Sequence, residues 1–176
     1  MMRVYLTGFM GAGKTTVGEC LARQLDVPFF DLDREIEQRS GFTVQQIFER
    51  GGEPSFRSLE RRELERTLEI EDAVIATGGG TAAAPGNLQL LRRGGVSVWL
   101  NPTLDDLFER LFERRADPAD SARPLLEDRA QAEALFQTRV PSYEAADLRV
   151  DVESAEGPDQ IARRIRRLLE EARCDT

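Results

Sequence analysis

The stretch Gly8-Phe9-Met10-Gly11-Ala12-Gly13-Lys14-Thr15 constrains this chain more than any other. It matches G-x-x-x-x-G-K-[ST], and its surroundings fit the motif. A short apolar run, Val4–Thr7, precedes it, and a stretch with helical periodicity opens at Lys14. Glycines at this spacing let successive backbone N–H groups turn inward around an anion. The helix that follows adds the partial positive charge of its N-terminus. Such a loop cradles nucleotide phosphates. Lys14 reaches the β- and γ-phosphates, and the Thr15 hydroxyl is placed to ligate Mg²⁺ beside them. Of the 24 Lys and Arg residues, Lys14 is the only lysine. Arginine does all the other cationic work, which sets that one position apart.

The strand before the loop and the helix after it predict an α/β architecture, and the rest of the chain continues the alternation. Further apolar, β-branched runs at Pro28–Leu32, Ala73–Thr77, Val96–Leu100 and Leu148–Val152 read as strands. Helical stripes lie between them at Lys14–Leu25, Ser58–Ile70, Leu104–Arg115 and Gln160–Ala172. This order predicts a three-layer fold with a five-stranded parallel sheet flanked by helices. A length of 176 residues fits one domain, 1–176. One stretch breaks the pattern: Ala116–Leu126 is small, polar and proline-containing, long for a connector, and reads as a lid over about 116–126.

Composition excludes several functions. The formal net charge of −8 makes nucleic acid a poor partner. No apolar run is long enough to span a membrane, and no secretory leader is visible, so a cytoplasmic protein is expected. With no histidine in the chain, Ser–His triads and His-ligated zinc are ruled out. Cys20 and Cys174 are too far apart in sequence to suggest a metal knuckle and are expected as free thiols. GTPase chemistry is excluded as well, because guanine reading by Asn-Lys-x-Asp needs a second lysine.

The second apolar run ends in Phe30-Asp31-Leu32-Asp33. If that run is a strand to its end, residues two apart face the same way, and both carboxylates project from its C-terminal end, where open α/β sheets bind ligands. One could then serve the metal side and the other the acceptor hydroxyl. The pair also reads as loop acids or as a helix N-cap, because Arg34–Gln38 follows.

Taken together, these residues resemble the shikimate kinases over nearly the whole chain. The family pattern appears in order as Gly11–Thr16, Asp31 with Asp33, Phe56-Arg57-Ser58-Leu59-Glu60, Gly78–Gly80, Arg123-Pro124-Leu125-Leu126, and Arg139 with Tyr143. The resemblance implies ATP-dependent phosphorylation of the 3-hydroxyl of shikimate, a step towards chorismate and the aromatic amino acids. It implies a monomer whose partners are ATP and shikimate, with Mg²⁺ as cofactor. It also carries over residue roles. Gly11, Ala12, Gly13, Lys14, Thr15, Thr16, Arg115 and Arg123 would bind ATP, and Thr15 and Asp31 would hold the metal. Asp33, Arg57, Gly79 and Arg139 would bind the acceptor, with Phe48 and Phe56 walling its ring, within a helical region over about 33–61. Lys14, Asp33 and Arg123 would be catalytic. An arginine fork suits a carboxylate acceptor on physical grounds too.

Two other readings compete. A nucleoside-monophosphate or gluconate-type kinase shares the phosphate loop. However, the chain has no Asp-Gly-[Phe/Tyr]-Pro-Arg, and Phe56-Arg57 followed by Gly78–Gly80 is not expected in gluconate kinases. A non-catalytic binding module would be signalled by loss of Lys14, Asp33 or Arg123, and all three are present.

Overall fold

The computed structural model describes residues 2–114 and 129–174. Its centre is a five-stranded parallel sheet in the order β2-β3-β1-β4-β5. The strands are β1 (Arg3–Thr7), β2 (Phe29–Asp31), β3 (Ala73–Ala76), β4 (Val96–Pro102) and β5 (Leu148–Val152). The three inner strands carry continuous apolar runs because helices cover both faces. Val4, Tyr5, Leu6, Ala73, Val74, Ile75, Val98 and Leu100 are fully buried. At the edge, β5 alternates buried Val150 and Val152 with exposed Arg149 and Asp151, the pattern of a strand with one wet face.

The first helix, α1 (Lys14–Leu25), starts directly from the phosphate loop. Gly13 sits at its N-cap with φ of 87°, a left-handed conformation that costs a glycine little and any other residue more. Val17, Leu21 and Ala22 face the sheet and α7 (Pro158–Cys174). The remaining helices are α2 (Leu32–Ser40), α3 (Val44–Arg66), α4 (Asn87–Gly94), α5 (Leu104–Arg114) and α6 (Arg129–Glu144).

The alternation read from the sequence holds, with corrections. The second strand is only Phe29–Asp31, and a new helix starts at Leu32. Asp33 is therefore helical, and the two aspartates do not lie on one strand. Asp31 is the N-cap of α2: its side chain accepts from the N–H groups of Asp33 and Arg34 at 3.1 and 3.3 Å. Capping won over the strand because an ionised carboxylate there satisfies otherwise unpaired donors and faces the positive helix end. The stripe placed at Ser58–Ile70 belongs to a much longer helix. Thr43 and Gln46 form a reciprocal capping box that starts α3, and α3 runs to Arg66 before a 3₁₀ turn at Thr67–Glu69. Non-helical Gly52, with φ of 65°, kinks α3 just before Pro54.

The apolar interior divides in two. The main core takes in the inner strands, β5, α1, α7 and the end of α3. A small second cluster of Ile36, Ile47 and Phe56, with Val44, Phe48 and Leu59 at its margin, holds α2 against the first part of α3. Among the described residues, no helix is long and apolar enough to cross a membrane.

Candidate active site

The phosphate loop lies between β1 and α1, as the motif requires. Lys14 is only 9% exposed, and its ammonium donates to the carbonyls of Gly8 and Phe9 at 2.8 Å each. The charge thus rests inside the loop that would surround a phosphate. Thr15 donates its hydroxyl to Asp31 Oδ2 at 2.7 Å. Asp31 therefore does two things at once: one oxygen caps α2 and the other meets the threonine of the loop. Thr16, by contrast, is exposed.

Opposite the loop stands the turn Gly78–Gly80, buried throughout, at the C-terminal end of β3. It comes so close to the loop that a Cβ on Gly79 would lie 3.0 Å from the Met10 nitrogen. A larger residue there would force the loop to give way by a few tenths of an ångström. Around the turn the structure gathers side chains from three helices. Asp33 of α2 and Glu60 of α3 crowd Gly78, where an added Cβ would sit 3.1 Å from Asp33 Oδ1 and 2.8 Å from Glu60 Oε1. The guanidinium of Arg57, on α3, lies against Gly80. Arg139 of α6 reaches in from the far side and donates to the Gly79 carbonyl at 3.3 Å, beside the hydroxyl of Tyr143.

Glu60 is fully buried, accepts from Arg57 at 2.7 Å and from the Thr81 hydroxyl at 2.7 Å, and so fixes the arginine from behind. Burial pushes its carboxyl above the ordinary range, against the pull of Arg57 and Thr81. For Arg57, burial acts to lower the pKa, but Glu60 and Glu53 together outweigh it and hold the cation firmly. Arg139 is 7% exposed, and its guanidinium lies 5.7 Å from the ring centre of Phe9 in the phosphate loop. Phe9 in turn meets Phe136 of α6 edge-on at 5.5 Å. Phe48 and Phe56 stack at 4.9 Å in the small core between α2 and α3. Phe56 is 5% exposed, and Arg57 lies 5.3 Å from its ring centre.

The structure thus gathers Lys14, Thr15 and Asp31 on the loop side, and Asp33, Arg57, Gly79 and Arg139 around the glycine turn. Arg115, Arg123 and the stretch read as a lid lie outside the described residues. The sequence reading gave no role to Glu60, Thr81 or Tyr143. Glu60 stands one helical turn from Arg57 and Tyr143 one turn from Arg139, spacings that place each on the same helix face as its arginine. Thr81 left no signal beyond following the glycines. Trp99 is 3% exposed and packs against Tyr143. Cys20 is a buried free thiol.

Chemically, one wall offers a phosphate cradle and the other offers two planar cations and a carboxylate. That arrangement can hold a phosphoryl donor and a small acid face to face. Comparison with known proteins agrees. The shikimate kinase family model matches residues 10–170. A shikimate kinase of Cereibacter sphaeroides is 45% identical over 94% of this chain and 81% of its own length. One from Persephonella marina is 40% identical over 94% of this chain and 97% of its own. The solved shikimate kinase of Acinetobacter baumannii, in complex with shikimate, superposes with a TM-score of 0.87 at 34% identity, covering 98% of this chain and 94% of its own. By sequence, fold and the placement of its motifs, the chain belongs to the shikimate kinase family.

Proposed function

We propose that this chain transfers the γ-phosphoryl group of ATP to the 3-hydroxyl of shikimate, giving ADP and shikimate 3-phosphate. The observation that carries the reading is the convergence of Arg57 and Arg139, from separate helices, on a glycine turn packed against the phosphate loop. Two forks there suit a small carboxylate acceptor. Asp33, on α2 beside the same turn, is the residue assigned to orient the acceptor hydroxyl and accept its proton. Gly79 leaves room for the acceptor's approach, and Phe48 and Phe56 back the acceptor side.

On the donor side Gly11, Ala12, Gly13 and Thr16 line the phosphates. Lys14 leaves the loop carbonyls for the phosphates and offsets the charge that spreads over them in the transition state. The oxygen pair of Thr15 and Asp31, 2.7 Å apart, fits Mg²⁺, which takes few protein oxygens and keeps phosphate and water as its other ligands. When bound, the metal neutralises phosphate charge. Arg115 along the adenine and Arg123 on the phosphates are assigned by their match to the family motif alone. The same reading makes the enzyme a cytoplasmic monomer. A coupled ADP-release assay with shikimate, gluconate and nucleoside monophosphates in parallel tests it. Release that depends on shikimate and Mg²⁺ is expected. A preference for another acceptor would overturn the reading.

A further inference from the structure

Three consecutive glycines at a binding wall raise a physical question. Glycine has the widest choice of backbone conformations, so Gly78–Gly80 would present its N–H groups in many directions unless something selects one. The selection is visible at Gly79. Its carbonyl accepts from the Tyr143 hydroxyl and from Arg139 Nη1, the latter at 3.3 Å. The arginine contact is long for a hydrogen bond, so the phenol carries the larger share. A trans peptide is planar, so pinning the Gly79 carbonyl also sets the opposite direction of the Gly80 N–H. Gly80 is the residue against which Arg57 rests.

The phenol is itself held. Tyr143 follows Arg139 by one turn of α6 and is 1% exposed. Its ring lies 5.9 Å from that of Trp99 on β4, and Arg149 covers the tryptophan at 4.8 Å. Arg139 shares the Gly79 carbonyl with the phenol, and the positive charges of Arg139 and Arg57 act on it. Burial pushes the phenol up to about 12, so it keeps its proton and remains a donor throughout the working range.

We infer that Tyr143 is a positioning residue for the acceptor: its hydroxyl pins the Gly79 carbonyl, the shared acceptor on which the Arg139 guanidinium rests, in the one arrangement that grips an acceptor carboxylate. The inference rests on the proposed reading of this wall as the shikimate site. Tyr143→Phe removes one oxygen and keeps the ring. The Kd for shikimate by calorimetry and the KM for shikimate should both rise about tenfold, the scale of one lost hydrogen bond. The KM for ATP and the thermal midpoint should stay near wild type. With shikimate methyl ester, which lacks the carboxylate charge, kcat/KM should be the same in both proteins. Trp99→Phe disturbs the same ring packing while keeping the phenol, and should leave shikimate binding close to wild type.

Wild-type shikimate affinity in Tyr143→Phe would overturn the inference. So would an equal loss with acid and ester, a matching loss in Trp99→Phe, or failure of Tyr143→Phe to fold, each of which assigns the residue to packing. Absence of shikimate-dependent ADP release in the wild-type enzyme would instead overturn the functional reading, before any variant is compared.

Discussion

Lys14 and Glu60 show how differently a single buried charge can be used. The ammonium of Lys14 is held by two carbonyls at 2.8 Å, contacts it can exchange for phosphate oxygens. Lys14→Ala should lower kcat by about 10²–10³, the scale of one preorganised charge at a reacting centre. Its thermal midpoint should stay within a few degrees of wild type. Lys14→Arg should fail similarly, because a planar guanidinium cannot take the place of a compact point charge. Steady-state kinetics beside a thermal melt separates these effects, and near-wild-type turnover in either variant would refute the assignment. Glu60 has no such exchange. Burial raises its folded pKa above the unfolded value, so its protonation favours the fold. That contribution is fully present below the unfolded carboxyl pKa and is lost as pH rises through the folded one. Relative to Glu60→Gln, wild-type stability should therefore fall as pH climbs from about 4.5 towards neutrality. Paired urea titrations across that range would show it, and a widening wild-type advantage would sink it. Lys14 could be read from the sequence because its motif is local and it is the only lysine. The weight of Glu60 could not, because nothing in Arg57-Ser58-Leu59-Glu60 says which face of the helix will be sealed.

At the scale of elements, the sheet was legible and several helices were not, for reasons that differ. The strands announce themselves as buried β-branched runs. In α2 only Leu32 and Ile36 are buried, too few to mark a periodicity, so its start at Asp31 was open to a strand reading. The front of α3 carries Gly51, Gly52 and Pro54, which look like a break and produce only a kink. In α6, Pro141 and scattered apolar residues hide the stripe, although Arg139 and Tyr143 were read as a pair. The junction of β2 and α2 makes its own prediction, since Asp31 both caps α2 and meets Thr15. Asp31→Asn keeps most of the cap, because asparagine caps as well as aspartate, but loses the charge beside the phosphate loop. It should melt near wild type while needing several-fold more Mg²⁺ for half-maximal rate. Asp31→Ala should show the same metal defect and also lose about 1 kcal/mol of stability. Magnesium titrations of both variants alongside their melts would test the division. An unchanged metal requirement in Asp31→Asn would confine Asp31 to capping.

For the whole molecule, the consequence lies in the two separate apolar clusters. The strands, α1 and α7 share the main core, which α2 enters only through Leu32 at its start, whereas the rest of α2 and the start of α3 are held by Ile36, Ile47 and Phe56 with a partly exposed margin. Three buried side chains contribute only about 1.5–3 kcal/mol each, and ordering some twenty backbone residues costs about 1–2 kcal/mol apiece. This unit therefore has little stability of its own and leans on the main core through Leu32 at the start of α2 and Leu64 at the far end of α3. Gly52 kinks the helix within the small cluster, between Ile47 and Phe56, and its φ of 65° breaks the regular hydrogen-bond ladder at that point. Opening of α2 and the first part of α3 should then require less free energy than global unfolding. Asp33 on α2 and Arg57 on α3 flank the small cluster, whereas Arg139 lies on α6 with the main core, so a bound acceptor would tie the two clusters together. Native-state hydrogen exchange should show the amides of Leu32–Ser40 and the first part of α3 exchanging faster than those of β1, β3 and β4. Shikimate alone should slow the helices and leave the strands nearly unchanged, whereas ADP alone should protect chiefly the phosphate loop and the start of α1. Helix amides as slow as the strand amides without ligand would show that the small cluster is no separate unit. Equal protection of the helices by ADP would show that they are stabilised through the nucleotide and not through the acceptor.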